Sequence, residues 1–230
     1  MSKRILTRSV LASAVAGASF LATAPAMAEF EITGNMTLAS DYFVRGFTQT
    51  DNKPAIQGGA DLTHSSGLYA GVWGSSVGAD VNTKGIEIDF YGGYALTLGD
   101  ELDLDFGGIY YMYPSESVLK NTVELYAGAN WKWFSLYYYH AVTDFFGDDG
   151  KNSYYLNLGA SVPITGQLSA FGSVGYQKVK VSAGPDNDYT DWSIGMDYVI
   201  TDTWSVAGSV IGVDDDDQDT RFVASLNASF

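Results

Sequence analysis

The stretch IEIDFYGGYAL, residues 86–96, decides the fold because its alternating positions have opposite characters. One set is apolar and consists of Ile86, Ile88, Phe90, Tyr94 and Leu96. The other set begins with Glu87, Asp89 and Tyr91. A period of two is typical of a β-strand with two different faces. Because these carboxylates could not fill a dry core without partners, the polar face indicates a water-filled interior and the apolar face a lipid surface.

The same pattern recurs along the chain in twelve segments that are separated by Gly, Asp, Asn and Ser. The predicted strands cover residues 31–46, 54–64, 68–78, 85–97, 102–113, 121–130, 134–143, 153–163, 168–178, 189–200, 204–214 and 219–230. They have about the length, roughly 9–11 residues, that a tilted strand needs to cross hydrocarbon. Strands of a soluble β-sandwich are typically only about five or six residues long.

The connections between the predicted strands alternate in length. Connections after even-numbered strands are tight, as in Ser65-Ser66-Gly67, and most of the others are longer, as in residues 144–152. Short turns at one end and long loops at the other are typical of outer-membrane barrels with an even strand number. We therefore predict an all-β fold, a transmembrane antiparallel up-and-down β-barrel of 12 strands. The short turns would face the periplasm, and Trp131, Trp133 and Trp204 near them would form an aromatic girdle.

The N-terminus has the features of an export signal. Its basic residues are Lys3, Arg4 and Arg8. An apolar run over residues 10–22 follows, and Ala26-Met27-Ala28 has the small-x-small pattern of a signal peptidase site. We predict that residues 1–28 form a signal peptide and that residues 29–230 form one barrel domain in the outer membrane.

Charge and composition restrict the function further. Three of the twelve basic residues and none of the 27 acidic residues precede Glu29, so the remaining chain has nine basic and 27 acidic residues and a net charge of −18. A surface this acidic disfavours nucleic acid as a partner. The chain has no cysteine, which excludes disulfides, thiol nucleophiles and Cys-ligated metals. We predict no cofactor.

Several stretches resemble the TorF-type porin family, exported bacterial outer-membrane β-barrels of largely unknown function. They are DYFVRGFTQTDNKPAIQGGADLTHSSGLYAGVWGSSV at 41–77, IEIDFYGGY at 86–94, IYYMYP at 109–114 and NTVELYAG at 121–128. The resemblance implies an outer-membrane porin and supplies no catalytic residues. A C-terminal phenylalanine, Phe230 in RFVASLNASF at 221–230, also resembles the signal by which the barrel-insertion machinery recognises such proteins.

Alternation assigns nine acidic and two basic residues to the lumen face. The predicted pore-lining residues are Asp41, Arg45, Asp61, Glu87, Asp89, Asp103, Asp105, Glu124, Asp191, Asp197 and Arg221. Acids at a constriction would favour cations, whereas on a wide wall they would only hydrate it or pair with the arginines. Arg45 and Arg221 are predicted to lie on the first and last strands, which are neighbours in a closed barrel.

The function predicted from these features is a porin that lets small polar solutes diffuse passively through a narrow, acidic, cation-preferring lumen. Bulky residues also fall on the lumen face: Tyr69, Trp73, Tyr91, Tyr111, Tyr126, Tyr137, Tyr139 and Phe171. A non-conducting structural or adhesive barrel is therefore the alternative. An outer-membrane lipid hydrolase would need His64 or His140 as a base, but neither lies in a recognisable motif. We predict that the protein is not an enzyme.

The acidic run DDDDQD, residues 214–219, is the candidate metal site. Asp214, Asp215, Asp216 and Asp217 offer the oxygen ligands that Ca²⁺ prefers. The run lacks the glycine and the terminal glutamate of an EF-hand loop, and acidic runs of this kind are usually solvated. Both interpretations stay open at the level of the sequence.

Overall fold

The computed structural model describes residues 29–79, 81, 85–114, 119–147, 150–181, 186–215 and 218–230. The predicted signal peptide, residues 1–28, lies outside the described residues. The strands are β1 (Phe30–Ala39), β2 (Phe43–Val44), β3 (Phe47–Thr48), β4 (Ala55–His64), β5 (Leu68–Ser76), β6 (Ile86–Leu98), β7 (Leu102–Met112), β8 (Thr122–Trp131), β9 (Phe134–Ala141), β10 (Tyr154–Pro163), β11 (Leu168–Val179), β12 (Asn187–Val199), β13 (Trp204–Val213) and β14 (Arg221–Ser229). The described residues include no helix long and apolar enough to span a membrane.

Twelve of these strands, β1 and β4–β14, form a closed antiparallel barrel in which each strand pairs with its neighbours in sequence. The seam joins β1 to β14, with Met36 opposite Ala228. Phe230 extends the seam, because its amide donates to the Gly34 carbonyl at 3.0 Å and its carbonyl accepts from the Gly34 amide at 2.7 Å. The prediction of a 12-stranded up-and-down barrel closed by its last strand is confirmed.

The outer face of the barrel is an apolar surface. Large apolar side chains are exposed on it, among them Ile32, Ile56, Ile194 and Phe222, and Phe230 is 76% exposed. The alternate positions of the same strands point inward and are for the most part buried or partly buried. Since successive side chains of a strand point to opposite faces, the period of two in the sequence accounts for this division.

The first predicted strand, residues 31–46, differs from the structure. The barrel strand β1 ends at Ala39, and β2 and β3 form a separate small hairpin with Val44 opposite Phe47. Arg45 and Gly46 make the two-residue turn, and both have positive φ, 48° and 89°. Two-residue hairpin turns with positive φ at both positions match the twist of the strands they connect, so the chain reverses here. The prediction that Arg45 lies on the barrel wall is therefore wrong.

Candidate functional site in the barrel interior

The connection between β1 and β4 folds into the barrel, and we call residues 40–54 the inner hairpin. Its Phe43 packs on Ile211 of β13 and Val223 of β14. At its tip, a Cβ on Gly46 would lie 2.8 Å from the Cβ of Val213 and 2.9 Å from that of Asp191. The hairpin thus starts at β1 and reaches the inward faces of strands elsewhere in the barrel, at the end that carries the long loops.

Arg45 fixes the tip of the inner hairpin to the opposite wall. Its Nη2 lies 2.5 Å from Glu124 Oε2, and its Nη1 donates to Glu124 Oε1 at 3.1 Å and to Gln177 Oε1 at 2.7 Å. The guanidinium also lies over the ring of Tyr155, 4.4 Å from its centroid. Glu124 and Gln177 are fully buried. This is a bidentate arginine–carboxylate pair with a further neutral acceptor, a geometry that arginine supports and lysine does not.

Asp41 closes the base of the same hairpin. Its Oδ1 accepts hydrogen bonds from the Tyr42 amide at 2.8 Å, from Thr48 Oγ1 at 2.7 Å and from Thr50 Oγ1 at 2.6 Å. A carboxylate that accepts three bonds from its own loop is a structural group of that loop. Asp41 therefore belongs to the inner hairpin and does not line the wall.

One side of the lumen, formed by β5–β10, is covered by tyrosines. The buried cluster there consists of Tyr69, Tyr91, Ile109, Tyr111, Tyr113, Tyr126, Tyr139 and Tyr155. Several of their hydroxyls bind predicted lumen acids: Tyr91 donates to Asp61 at 2.5 Å, Tyr69 to Asp105 at 2.7 Å and Tyr155 to Asp191 at 3.1 Å. The bonds explain how these carboxylates can lie among aromatic rings.

These tyrosine rings lie along the wall because glycines make room for them. Tyr91 is directly opposite Gly71 across the β5–β6 pair, and Tyr126 is opposite Gly107 across β7–β8. A Cβ on either glycine would come to 2.4 Å from an atom of its tyrosine side chain. Each ring therefore covers a glycine on the neighbouring strand instead of projecting toward the barrel axis.

The other side of the lumen, on β11–β14 and β1, has small polar side chains, and we call it the serine wall. Its members are Thr37, Ser173, Ser193, Ser209, Ser225 and Asn227. They bond to one another across strands, as Ser173 does to Ser193 at 2.9 Å and Thr37 to Asn227 at 3.0 Å. Phe171 is a large side chain among them, and it lies over Gly195. These small side chains occupy less of the lumen than the tyrosines of the other side do.

The remaining predicted pore-lining residues fall at different heights of the barrel. Glu87 and Asp89 are buried on β6 near the long-loop end, and Asp197 is buried on β12 beside the serine wall. Asp103 lies near the short-turn end and accepts from Thr97 at 2.7 Å. Arg221 lies at the long-loop end of β14 and pairs with Asp219 at 2.9 Å. Arg45 and Arg221 do not lie on neighbouring strands as predicted, because Arg45 belongs to the inner hairpin and reaches across the lumen to β8.

Sequence reasoning missed Tyr42, Tyr113 and Gln177 as interior groups. Tyr42 lies on the inner hairpin, and Gln177 completes the arginine site. A signal for the hairpin is present in the sequence: a glycine follows Arg45, with the β-favouring pairs Phe43-Val44 and Phe47-Thr48 on either side. A glycine in a two-residue connection between short apolar segments is typical of a tight hairpin.

The two histidines lie in local arrangements at the surface. The His64 ring binds Ser66 Oγ at 2.7 Å and Glu29 Oε1 at 3.0 Å, residue types that a hydrolase would use. The Ser66 amide, however, donates at 3.1 Å to the same ring nitrogen, so the ring closes the turn between β4 and β5. His140 contacts the hydroxyl of Tyr138 at 3.1 Å.

The acidic run of the last long loop is described only in part. Asp216 and Asp217 lie outside the described residues, and in the described ones no group of three or more acidic, histidine or cysteine side chains is arranged to hold a metal. The calcium site at Asp214, Asp215, Asp216 and Asp217 stays a prediction.

A family model described as "Bacterial protein of unknown function (Gcw_chp)" matches residues 23–229. The chain belongs to this family. The narrower assignment to TorF-type porins stays a prediction. Comparison with curated proteins gives no significant match.

Solved structures of outer-membrane porins are similar in fold. The structure titled "KdgM porin" has a TM-score of 0.60 and 11% identity, and the match covers 86% of this chain and 99% of that chain. The same porin "in complex with disordered oligogalacturonate" gives a TM-score of 0.58 at 11% identity, covering 86% and 98%. The NanC porin structure gives 0.55 at 12% identity, covering 87% and 99%. At these identities the likeness concerns the barrel fold.

Proposed function

We propose that this Gcw_chp family member is an outer-membrane channel through which small polar solutes diffuse passively, with a preference for cations. The observation that carries the proposal is the division of the barrel into an apolar outer face and an inner face of small polar and acidic groups. A 12-stranded barrel is wider than a barrel of roughly eight strands, whose interior side chains can fill. It is narrower than the barrels of about 16–18 strands found in wide porins. The solute path would follow the serine wall.

The outer face supports a location in the outer membrane. A closed barrel leaves no strand edge unpaired, which hydrocarbon requires. Phe230 points outward at the seam, where insertion machinery could reach it. We propose that the short turns face the periplasm and the long loops the exterior, after export by the signal peptide of residues 1–28.

The cation preference rests on the charge balance of the lumen. Among the described residues, Arg45 is the one buried base, and Glu124 neutralises it. In the described part of the chain, Asp61 and Asp105 accept hydrogen bonds from tyrosine hydroxyls, and Asp197 also lies inward. A wall of one sign favours ions of the other. One of the KdgM porin structures is a complex with oligogalacturonate, which is a polyanion. The acidic lumen of this chain suits small cations and neutral polar solutes better.

Planar-bilayer recording in a KCl gradient tests the proposal. We expect discrete conductance steps and a reversal potential of the sign given by cation selectivity. Asp61→Asn and Asp197→Asn should each move that potential toward zero, whereas Asp144→Asn, in the exposed loop after β9, should leave it unchanged. An anion-selective potential from the wild-type protein would contradict the proposal.

One observation favours the second candidate, a non-conducting structural or adhesive barrel. The inner hairpin packs into the lumen at the long-loop end, where it narrows the path. Inserted and folded protein that stays silent in the bilayer, both as wild type and with the hairpin released, would support this alternative.

A further inference from the structure

Two neighbouring carboxylates on the lumen wall are buried and form no ion pair with any base that the structure describes. Glu87 and Asp89 occupy alternate positions of β6 and therefore face the same way. Their exposed fractions are 1% and 3%. In the part of the chain that the structure describes, Glu87 Oε2 and Asp89 Oδ1 have no hydrogen-bond partner. An uncompensated buried carboxylate is so costly that it acquires a proton, a partner or a cation.

The surroundings of the pair supply hydroxyls. Tyr42 of the inner hairpin donates to Glu87 Oε1 at 3.4 Å. Tyr113 also bonds to Glu87, and both tyrosines lie close to Asp89. An ionised carboxylate accepts hydrogen bonds, and hydroxyls that donate to one oxygen of Glu87 suit this state. They leave the other oxygen of Glu87 available.

The positive charge of the Arg45 guanidinium is already paired with groups other than Glu87 and Asp89. Arg45 uses both ends of its guanidinium on Glu124 and Gln177. Asp191 has the third buried oxygen without a hydrogen bond, but it lies in the field of Arg45. Glu87 and Asp89 therefore differ from Asp191, because their two negative charges have no such compensation among the described residues.

We propose that Glu87 and Asp89 form a binding site for a calcium-like divalent cation, closed on the lumen side by Tyr42 of the inner hairpin. Two free carboxylate oxygens supply the anionic ligands, and hard divalent cations complete their shell with carbonyls and water. Bound there, the cation joins β6 to the inner hairpin through Glu87. The site is distinct from the acidic run at Asp214 and Asp215, and it does not depend on whether the barrel conducts.

Terbium luminescence of the folded protein in detergent tests this site, because Tb³⁺ takes calcium-type oxygen ligands and is sensitised by nearby aromatic rings. The rings of Tyr42 and Trp73 lie 5.6 Å apart between centroids. Trp73 can therefore act as the energy donor for a Tb³⁺ ion bound beside Tyr42. We expect saturable emission that Ca²⁺ displaces and K⁺ does not. Glu87→Gln and Asp89→Asn should each weaken Tb³⁺ binding at least tenfold.

The matched control is the double variant Asp214→Asn with Asp215→Asn, which removes two acids of the loop run and should leave the emission unchanged. Folding of each variant is checked by the shift in gel mobility on heating. On the wild-type protein, Ca²⁺ should also raise the unfolding temperature relative to a chelator, since a ligand that binds only the folded state stabilises it.

Two outcomes overturn the site. Emission lost in the loop variant but kept in Glu87→Gln would assign the binding to the loop. Absence of saturable binding to folded wild-type protein would mean that the pair holds a proton instead of a cation. Neither outcome bears on conductance, so failure of this site and failure of the channel proposal are separable.

Discussion

Replacing Arg45 with alanine is expected to release the inner hairpin into the long-loop end of the barrel. The docked hairpin would then leave Glu124 buried with no base, whereas in the released state water in the lumen hydrates that carboxylate. Removing one partner of a buried ion pair costs about 3–5 kcal/mol. At about 1.4 kcal/mol per factor of ten, the docking equilibrium should shift by roughly two to three and a half orders of magnitude.

Single-channel recording measures this shift. Arg45→Ala should show a higher conductance level than the wild type, or frequent steps between a low and a high level. Adding Glu124→Gln to Arg45→Ala removes the buried charge and should restore part of the low level. Lys53→Ala breaks an exposed pair with Asp51 in the same loop and should change little, because exposed pairs contribute only about 0–1 kcal/mol. An unchanged conductance in folded, inserted Arg45→Ala would refute the idea that Arg45 holds the inner hairpin in the lumen.

Further outcomes follow from the glycine pairing and from the loops. Gly71→Ala should lower conductance, because its Cβ would lift the Tyr91 ring off the wall into the lumen, while Gly166→Ala, in an open turn, should not. In the loop after β11, the hydrogen bond from Lys180 lowers the pKa of Asp186, and the same bond raises the pKa of Lys180. This pair stabilises the loop above the ordinary pKa of an aspartate and is lost as the pH falls through the lowered pKa. A carboxylate titration by NMR that gives an ordinary or raised pKa for Asp186 would contradict the pair.

The sequence predicts the barrel well because its signal is local. In Ile86–Leu98 the identity of each residue reports which face it occupies, and short turns such as Ser65-Ser66-Gly67 mark the strand ends. Eleven of the twelve barrel strands agree with the prediction to within about three residues at each end, a normal uncertainty for boundaries.

The interior is harder to predict because its contacts are not local. Arg45 lies 79 residues from Glu124 and 132 from Gln177, and nothing in the alternation indicates that they meet. The alternation through Phe43 and Arg45 also continues that of the preceding strand, so it conceals the reversal at Gly46. The alternation predicts correctly that the side chains of Asp61 and Asp105 face the lumen. It cannot predict which tyrosine binds each carboxylate, because that depends on which strands lie side by side.

The inner hairpin also has a consequence for the order of assembly. It precedes β4 in the chain, yet Phe43, Arg45 and Gly46 contact residues of β8, β11, β12, β13 and β14. During synthesis and insertion Arg45 has no partner until the later strands are in place, and Phe43 cannot pack until the seam strand β14 is present. Docking of this segment would therefore be among the last steps of folding, and a docked Arg45 would report that the wall around it is complete.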